Sequence, residues 1–157
     1  MNIEFGKRIS VEEVEEGLKL QPKFDSNGLI PVITVDNSDK QILMHSYMNQ
    51  EAFEKSISTK LAHYWSRSRK KIWKKGESSG LYQKIKEIRI DDDQDCIWLR
   101  VDVVGGASCH VGYRSCFYRS ISIEDKNFKK IKLKFEEKEK VFDPKDVYGN
   151  SPNPTKL

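Results

Sequence analysis

From Leu61 to Glu137 the chain reads as five short strand-like segments: LAHYW, YQKIKEIRI, CIWLRVDV, CFYRSISI and KKIKLKFEE. Within them β-branched and aromatic residues alternate with polar ones, and loops rich in Gly, Ser or Asp separate them. Helical periodicity is confined to the residues before Leu61. Ser10 to Leu18 reads as a short helix, with Ser10 as cap, Glu13 completing a capping box, and Val11, Val14 and Leu18 on one face. Asn27-Gly28 marks a turn before Leu29–Val35, a buried strand in which Pro31 fits an edge or a strand start. Asp36–Asp39 is a tight turn leading into QILM as a hairpin partner. Asn49 caps a second helix running to about Lys60, with Ala52, Phe53 and Ile57 as its apolar stripe. The pattern predicts an α+β fold, mostly β: a barrel-like sheet of short strands with a few short helices.

A chain of 157 residues fits one domain. No repeat, heptad array or linker divides it, so residues 1–149 form the expected domain and 150–157, with two prolines and no core-forming face, a flexible tail. No second catalytic domain is expected after so short a tail, and the chain reads as monofunctional. Hydrophobic residues are 37% and charged residues 33%, which describes a modest core that would gain from an oligomer. No signal-like stretch or membrane-length apolar run is visible, so a cytoplasmic, reducing compartment is expected. There the three cysteines, Cys96, Cys109 and Cys116, favour metal binding or catalysis over disulfides, with buried free thiols as the plain alternative.

Three constellations can carry chemistry. In IDDDQDCIW, Ile90–Trp98, the aspartates Asp91, Asp93 and Asp95 are spaced i, i+2, i+4. A flat strand spaces such neighbours about 6.6 Å apart, so a bend is required before they can share a hard cation such as Mg²⁺. A calcium loop of the EF-hand type is excluded: Cys96 replaces the turn glycine and Asp102 the twelfth-position glutamate. A solvated acidic turn is the plain alternative.

In CHVGYRSC, Cys109 and Cys116 flank a glycine-containing loop that can close on Zn²⁺. Cys96, Asp92, His110 or a residue of another subunit could supply the third ligand, leaving a position for water. His110, beside Cys109, is a candidate acid/base residue or ligand. His45 and His63 have no chemical neighbours and read as structural. The third stretch, YWSRSRKKIWKKGESSG, Tyr64–Gly80, places six basic residues between positions 67 and 75. Its hydroxyls, backbone amides and guanidinium forks can clamp the phosphates of a nucleotide. Its tryptophans could instead stack single-stranded nucleic acid, but that reading leaves the acid run and the cysteines unexplained.

In this order, and together with SYMNQEAF, these blocks resemble phosphoribosyl-AMP cyclohydrolase, from about Gly28 to Gly149. The resemblance implies hydrolytic opening of the adenine ring of phosphoribosyl-AMP in histidine biosynthesis, a water activated at zinc attacking C6 and the N1–C6 bond breaking. It also implies an intertwined homodimer with zinc near the subunit interface, cysteines supplied by both chains, and Mg²⁺ at Asp91, Asp93 and Asp95. Cys109 and Cys116 would ligate zinc, and His110 would be the neighbouring acid/base group. Arg67, Arg69, Lys74, Lys75, Ser78 and Ser79 would lie in the motif that receives substrate phosphates. One position departs: the family reads Asp-Cys-Asp-x-Asp, its cysteine being the remaining zinc ligand, whereas this chain has Asp92 there and Cys96 four residues later. Asp92 is the preferred replacement, because using Cys96 needs a shift on the order of 13 Å along an extended chain. A paralogue acting on another cyclic amidine is the alternative that this substitution leaves open.

Overall fold

The computed structural model describes residues 2–124 and 131–157; the first two residues of the strand expected over Lys129–Glu137 lie outside them. Among the described residues, eight strands and three short helices follow in the order α1 (Val11–Glu16), β1 (Ile30–Asp36), β2 (Ile42–Met48), α2 (Gln50–Thr59), β3 (His63–Ser66), β4 (Lys71–Lys74), β5 (Gln83–Ile90), β6 (Ile97–Val103), β7 (Arg119–Ile121), β8 (Leu133–Phe135) and α3 (Pro144–Tyr148). The mostly-β, α+β class predicted from the sequence is the class observed.

The strands form three sheets rather than one closed barrel: a four-stranded sheet in the order β2-β1-β6-β5 and the hairpins β3-β4 and β7-β8. β1 runs parallel to β6 and antiparallel to β2. Pro31 pairs with Tyr47 of β2, while the β1–β6 pairing starts one residue later at Val32–Ile97. Pro31 is therefore tolerated as a strand start inside the sheet, where it removes no bond to β6. The β3–β4 hairpin lies beside the sheet and is stitched to β5 by Ala62 N to Gln83 O (3.0 Å) and Ile85 N to Lys60 O (2.8 Å).

The core comprises Ile30, Val32, Leu43, Met48, Phe53, Tyr64, Ile97, Leu99 and Val101, all fully buried or nearly so. α2 closes one side of it, Asn49 Oδ1 accepting from Ala52 N at 2.9 Å and Ala52, Phe53 and Ser56 facing inward. α1 departs from the expected stripe. It stops before Gly17, and only Val14 of the three apolar positions is buried; Val11 and Leu18 are exposed. Ser10 caps it as expected, but the Glu13 carboxylate accepts from Lys19 Nζ and Gln21 Nε2 instead of closing a capping box.

Candidate active site

β5 and β6 are antiparallel with Ile90 opposite Ile97, so residues 91–96 must turn the chain back on itself. Gln94 adopts φ 60°, a left-handed conformation few non-glycine residues take. Its buried side chain compensates. Oε1 accepts from Gln21 N at 2.7 Å, and Nε2 donates to the carbonyls of Val14 (2.9 Å) and Lys19 (3.2 Å). Asp91 Oδ1 accepts the N–H groups of Asp95 and Cys96, both at 2.9 Å. The bend that the sequence required is present: one carboxylate oxygen from each of Asp91, Asp93 and Asp95 lies within 4.8 Å of the others. Burial first, then the charges of Asp93 and Asp91, hold the Asp95 carboxyl above its ordinary range. A hard divalent cation would relieve that repulsion.

The second group is the loop from Cys109 to Cys116. Ser108 N donates to Arg114 O (3.0 Å), Cys109 N to Tyr113 O (3.2 Å) and Gly112 N to Cys109 O (3.0 Å), closing a compact turn. Gly112 has φ 104°, and a Cβ there would come within 2.3 Å of Phe142 O, so the loop accepts only glycine. Cys116 is the main influence lowering the Cys109 thiol, helped by Val111 N–H and the charge of Lys75, while burial acts against it. Cys109 and burial push Cys116 upward. The two sulfurs therefore lie together as a donor pair that suits a soft or borderline cation. Among the described residues no third His, Cys, Asp or Glu donor joins them within 4.8 Å.

A fully buried polar chain anchors the start of this loop. Tyr64 Oη donates to Gln83 Oε1 at 2.6 Å, so the Thr34 hydroxyl is the donor in its 2.8 Å bond with Tyr64. Gln83 Nε2 donates to Ser108 Oγ at 3.0 Å, and Lys75 Nζ to Ser108 O at 2.6 Å. His110 is half-buried. Burial first, then Lys75, lowers its pKa, with an Asn153 side-chain bond acting in the opposite sense; Nε2 has no partner among the described residues. Burial and Lys75 thus favour the neutral imidazole of His110. His63 Nδ1 contacts Leu61 O at 2.8 Å and His45 packs edge-on against Tyr47, which fits structural roles for both.

The basic stretch folds as the β3–β4 hairpin, and the second of these strands was not expected. Ser66 pairs with Lys71 and His63 with Lys74, so the six candidate phosphate ligands separate into two groups about 10 Å apart along the strands. At the turn, Arg67 stacks on Tyr47 at 4.3 Å and Arg69 Nε donates to Ser66 Oγ at 3.2 Å. At the other end lie Lys74, Lys75, Ser78 and Ser79, with Ser79 Oγ accepting from Leu81 N. Lys75 is only 7% exposed and beside the cysteines. Trp73 packs on Tyr64 at 5.2 Å and is not free to stack a base.

Residues 44–118 match the family model described as phosphoribosyl-AMP cyclohydrolase. A phosphoribosyl-AMP cyclohydrolase of Methanococcoides burtonii is 55% identical over 80% of this chain and 94% of its own length. Those of Rhodopseudomonas palustris strains BisA53 and HaA2 are 51% and 49% identical, over 87% and 89% of this chain and 92% and 93% of their own lengths. The chain belongs to the phosphoribosyl-AMP cyclohydrolase family.

Membership makes it an enzyme of the hydrolase class. The cyclohydrolase match spans the acidic turn, the cysteine loop and the basic hairpin together. Of the residues picked out from the sequence, the acid triad comes together, as do Cys109 with Cys116 and, beside them, Lys75 and His110. Asp92 is exposed and Cys96 half-buried. Burial, then Asp91 and Asp95, hold the Cys96 thiol above its ordinary range. Sequence reasoning missed Tyr64, Gln83, Ser108 and Arg114, whose partners are distant in the chain. It also missed α3, although Asp143-Pro144 and Gly149 are ordinary start and stop signals. No helix among the described residues is long and apolar enough to cross a membrane.

Proposed function

We propose that this chain catalyses the hydrolytic opening of the N1–C6 bond in the adenine ring of phosphoribosyl-AMP, in L-histidine biosynthesis, with zinc and magnesium as cofactors. The observation carrying the reading is the pair Cys109 and Cys116 at the two ends of one closed loop, next to the half-buried His110, in a chain of this family. The pair fits zinc by the chemistry of its donors, and the oxygen set of Asp91, Asp93 and Asp95 fits magnesium. Zinc, when bound, supplies a water whose pKa is lowered to about 7.

The chain's own residues do the rest. Cys109 and Cys116 would hold the metal as thiolates. His110, its Nε2 without a partner among the described residues, accepts or returns a proton at the reacting nitrogen or water. Arg67 and Arg69 at the hairpin turn, and Lys74 with Ser78 and Ser79 at its other end, hold substrate phosphates as two separate anion sites. Lys75 is buried on Ser108 O and serves the cysteine loop, its charge lying near the sulfurs.

Asp92 is the preferred third zinc ligand. It is exposed, whereas burial and two neighbouring carboxylates disfavour the Cys96 thiolate that zinc would need. Because only two thiols meet within one protomer, the third donor comes from a second copy, in a homodimer with zinc near the subunit interface. Three free cysteines, two of them at such a centre, suit the cytoplasm. Metal analysis of Asp92→Ala and Cys96→Ser tests the ligand set: zinc should be lost in the first and kept in the second, and the reverse would assign Cys96. Asp92 also supports a second reading, a paralogue acting on another cyclic amidine. An absorbance assay of phosphoribosyl-AMP ring opening separates the two, turnover supporting the first and its absence in metal-loaded protein the second.

A further inference from the structure

We propose that Arg114, clamped by Asp36 and Asp39 of the β1–β2 turn, is a positioning residue that fixes the spacing of Cys109 and Cys116. This rests on the reading of that pair as zinc ligands. Arg114 lies inside the loop, two positions before Cys116, and its carbonyl accepts the N–H of Ser108, next to Cys109, at 3.0 Å. Fixing Arg114 therefore fixes both ends of the loop.

Its side chain is held on four acceptors. Nη1 donates to Asp39 Oδ2 at 2.9 Å and also to Gln41 Oε1; Nη2 donates to Asp39 Oδ1 at 2.8 Å. Asp36 Oδ2 lies 3.1 Å from Nη2. The acceptors are themselves immobilised. Asp36 Oδ1 takes the N–H and hydroxyl of Ser38 at 2.8 and 2.6 Å, and Asp39 Oδ1 takes Gln41 N–H at 3.0 Å. A planar guanidinium held bidentately by one carboxylate and reached by a second has little orientational freedom.

The segment after Arg114 is tied down independently. Ser115 Oγ donates to Ile42 O at 2.8 Å and Cys116 N to Leu43 O at 2.7 Å, both on β2. The acidic turn joins β1 to that same strand, so Asp36 and Asp39 set where Arg114 stands relative to the anchor of Cys116. A remote surface turn thereby becomes part of the metal-binding geometry. Asp39 itself contacts neither cysteine, so its effect must travel through Arg114.

The test compares Arg114→Ala, Asp39→Ala and Asp39→Glu with the unaltered protein. In zinc-loaded protein, transfer of zinc to a chromogenic chelator should be about tenfold faster in both alanine variants and return close to the original rate in Asp39→Glu. Turnover should fall in kcat with KM unchanged. In metal-free protein, capture by a dithiol-specific arsenical, which needs two sulfurs at a set spacing, should slow in both alanine variants. Unchanged zinc release and unchanged arsenical capture would overturn the proposal, as would an Asp39→Glu protein behaving like Asp39→Ala. If the unaltered protein holds no zinc, the zinc reading fails, while arsenical capture still decides the positioning role.

Discussion

The Tyr64 hydroxyl stands between Thr34 and Gln83 with no exposed surface, and Gln83 passes the contact on to Ser108. Replacing it with phenylalanine leaves Gln83 Oε1 and the Thr34 hydroxyl without that partner in a dry site. Tyr64→Phe should cost about 1–3 kcal/mol, read from the midpoint of urea unfolding at unchanged slope; an unchanged midpoint would remove the network from the stability of the fold. At this scale the sequence was legible where chemistry is dense and local. Asp91, Asp93 and Asp95 lie within five positions, and Cys109 and Cys116 within eight, so their grouping follows from nearness in the chain. Tyr64, Gln83 and Ser108 were not legible. Their partners lie 19 to 30 positions away, and an uncharged buried hydroxyl or amide has no local pattern. Lys75 was read as a phosphate ligand because it stands in a basic run; its burial is decided by the hairpin's tertiary packing.

Among the elements, the β1–β2 turn has a charge state that can be followed by pH. Arg114 holds Asp39 down to about 2, below the ordinary carboxyl value near 3.9. Asp36 is also lowered, the bonds from Ser38 and Arg114 outweighing its burial. A depressed folded-state pKa stabilises the fold above the unfolded value and loses that contribution as pH falls through the folded one. The stability difference between the unaltered protein and Arg114→Ala should therefore be constant from pH 7 to about 4.5 and shrink toward pH 2. A difference unchanged down to pH 2 would show that the brace carries no linked protons. Element types followed from periodicity and caps for β1, α2, β5 and β6. α1 was overextended because Gly17 ends it and Leu18 turns outward. β4 was hidden by charge, since Lys71–Lys74 alternates KIWK with lysines on its ends and reads as a binding loop.

For the whole molecule, the α+β class was legible because strand-like segments outnumber helical ones, but the division into three sheets was not. Local alternation does not say which edges meet, and here the hairpin β3–β4 lies against β5 without completing a barrel. The molecule also exposes apolar side chains: Val11 and Leu18 near α1, and Ile121, Ile123, Leu133 and Phe135 around the β7–β8 hairpin. A two-stranded hairpin is marginal by itself, and the proposed homodimer gives it something to pack on. Sedimentation equilibrium at micromolar concentration should return the mass of two chains; the mass of one, 18.3 kDa, would contradict the dimer.

The two cation centres are the central claim, and adding metals back one at a time tests them most directly. Chelator-stripped protein is given phosphoribosyl-AMP with no metal, zinc alone, magnesium alone, or both, and ring opening is followed by absorbance. The account predicts turnover with both cations, and near-background rates with either alone or with neither. Full turnover in the stripped protein, or none with both metals present, would contradict it.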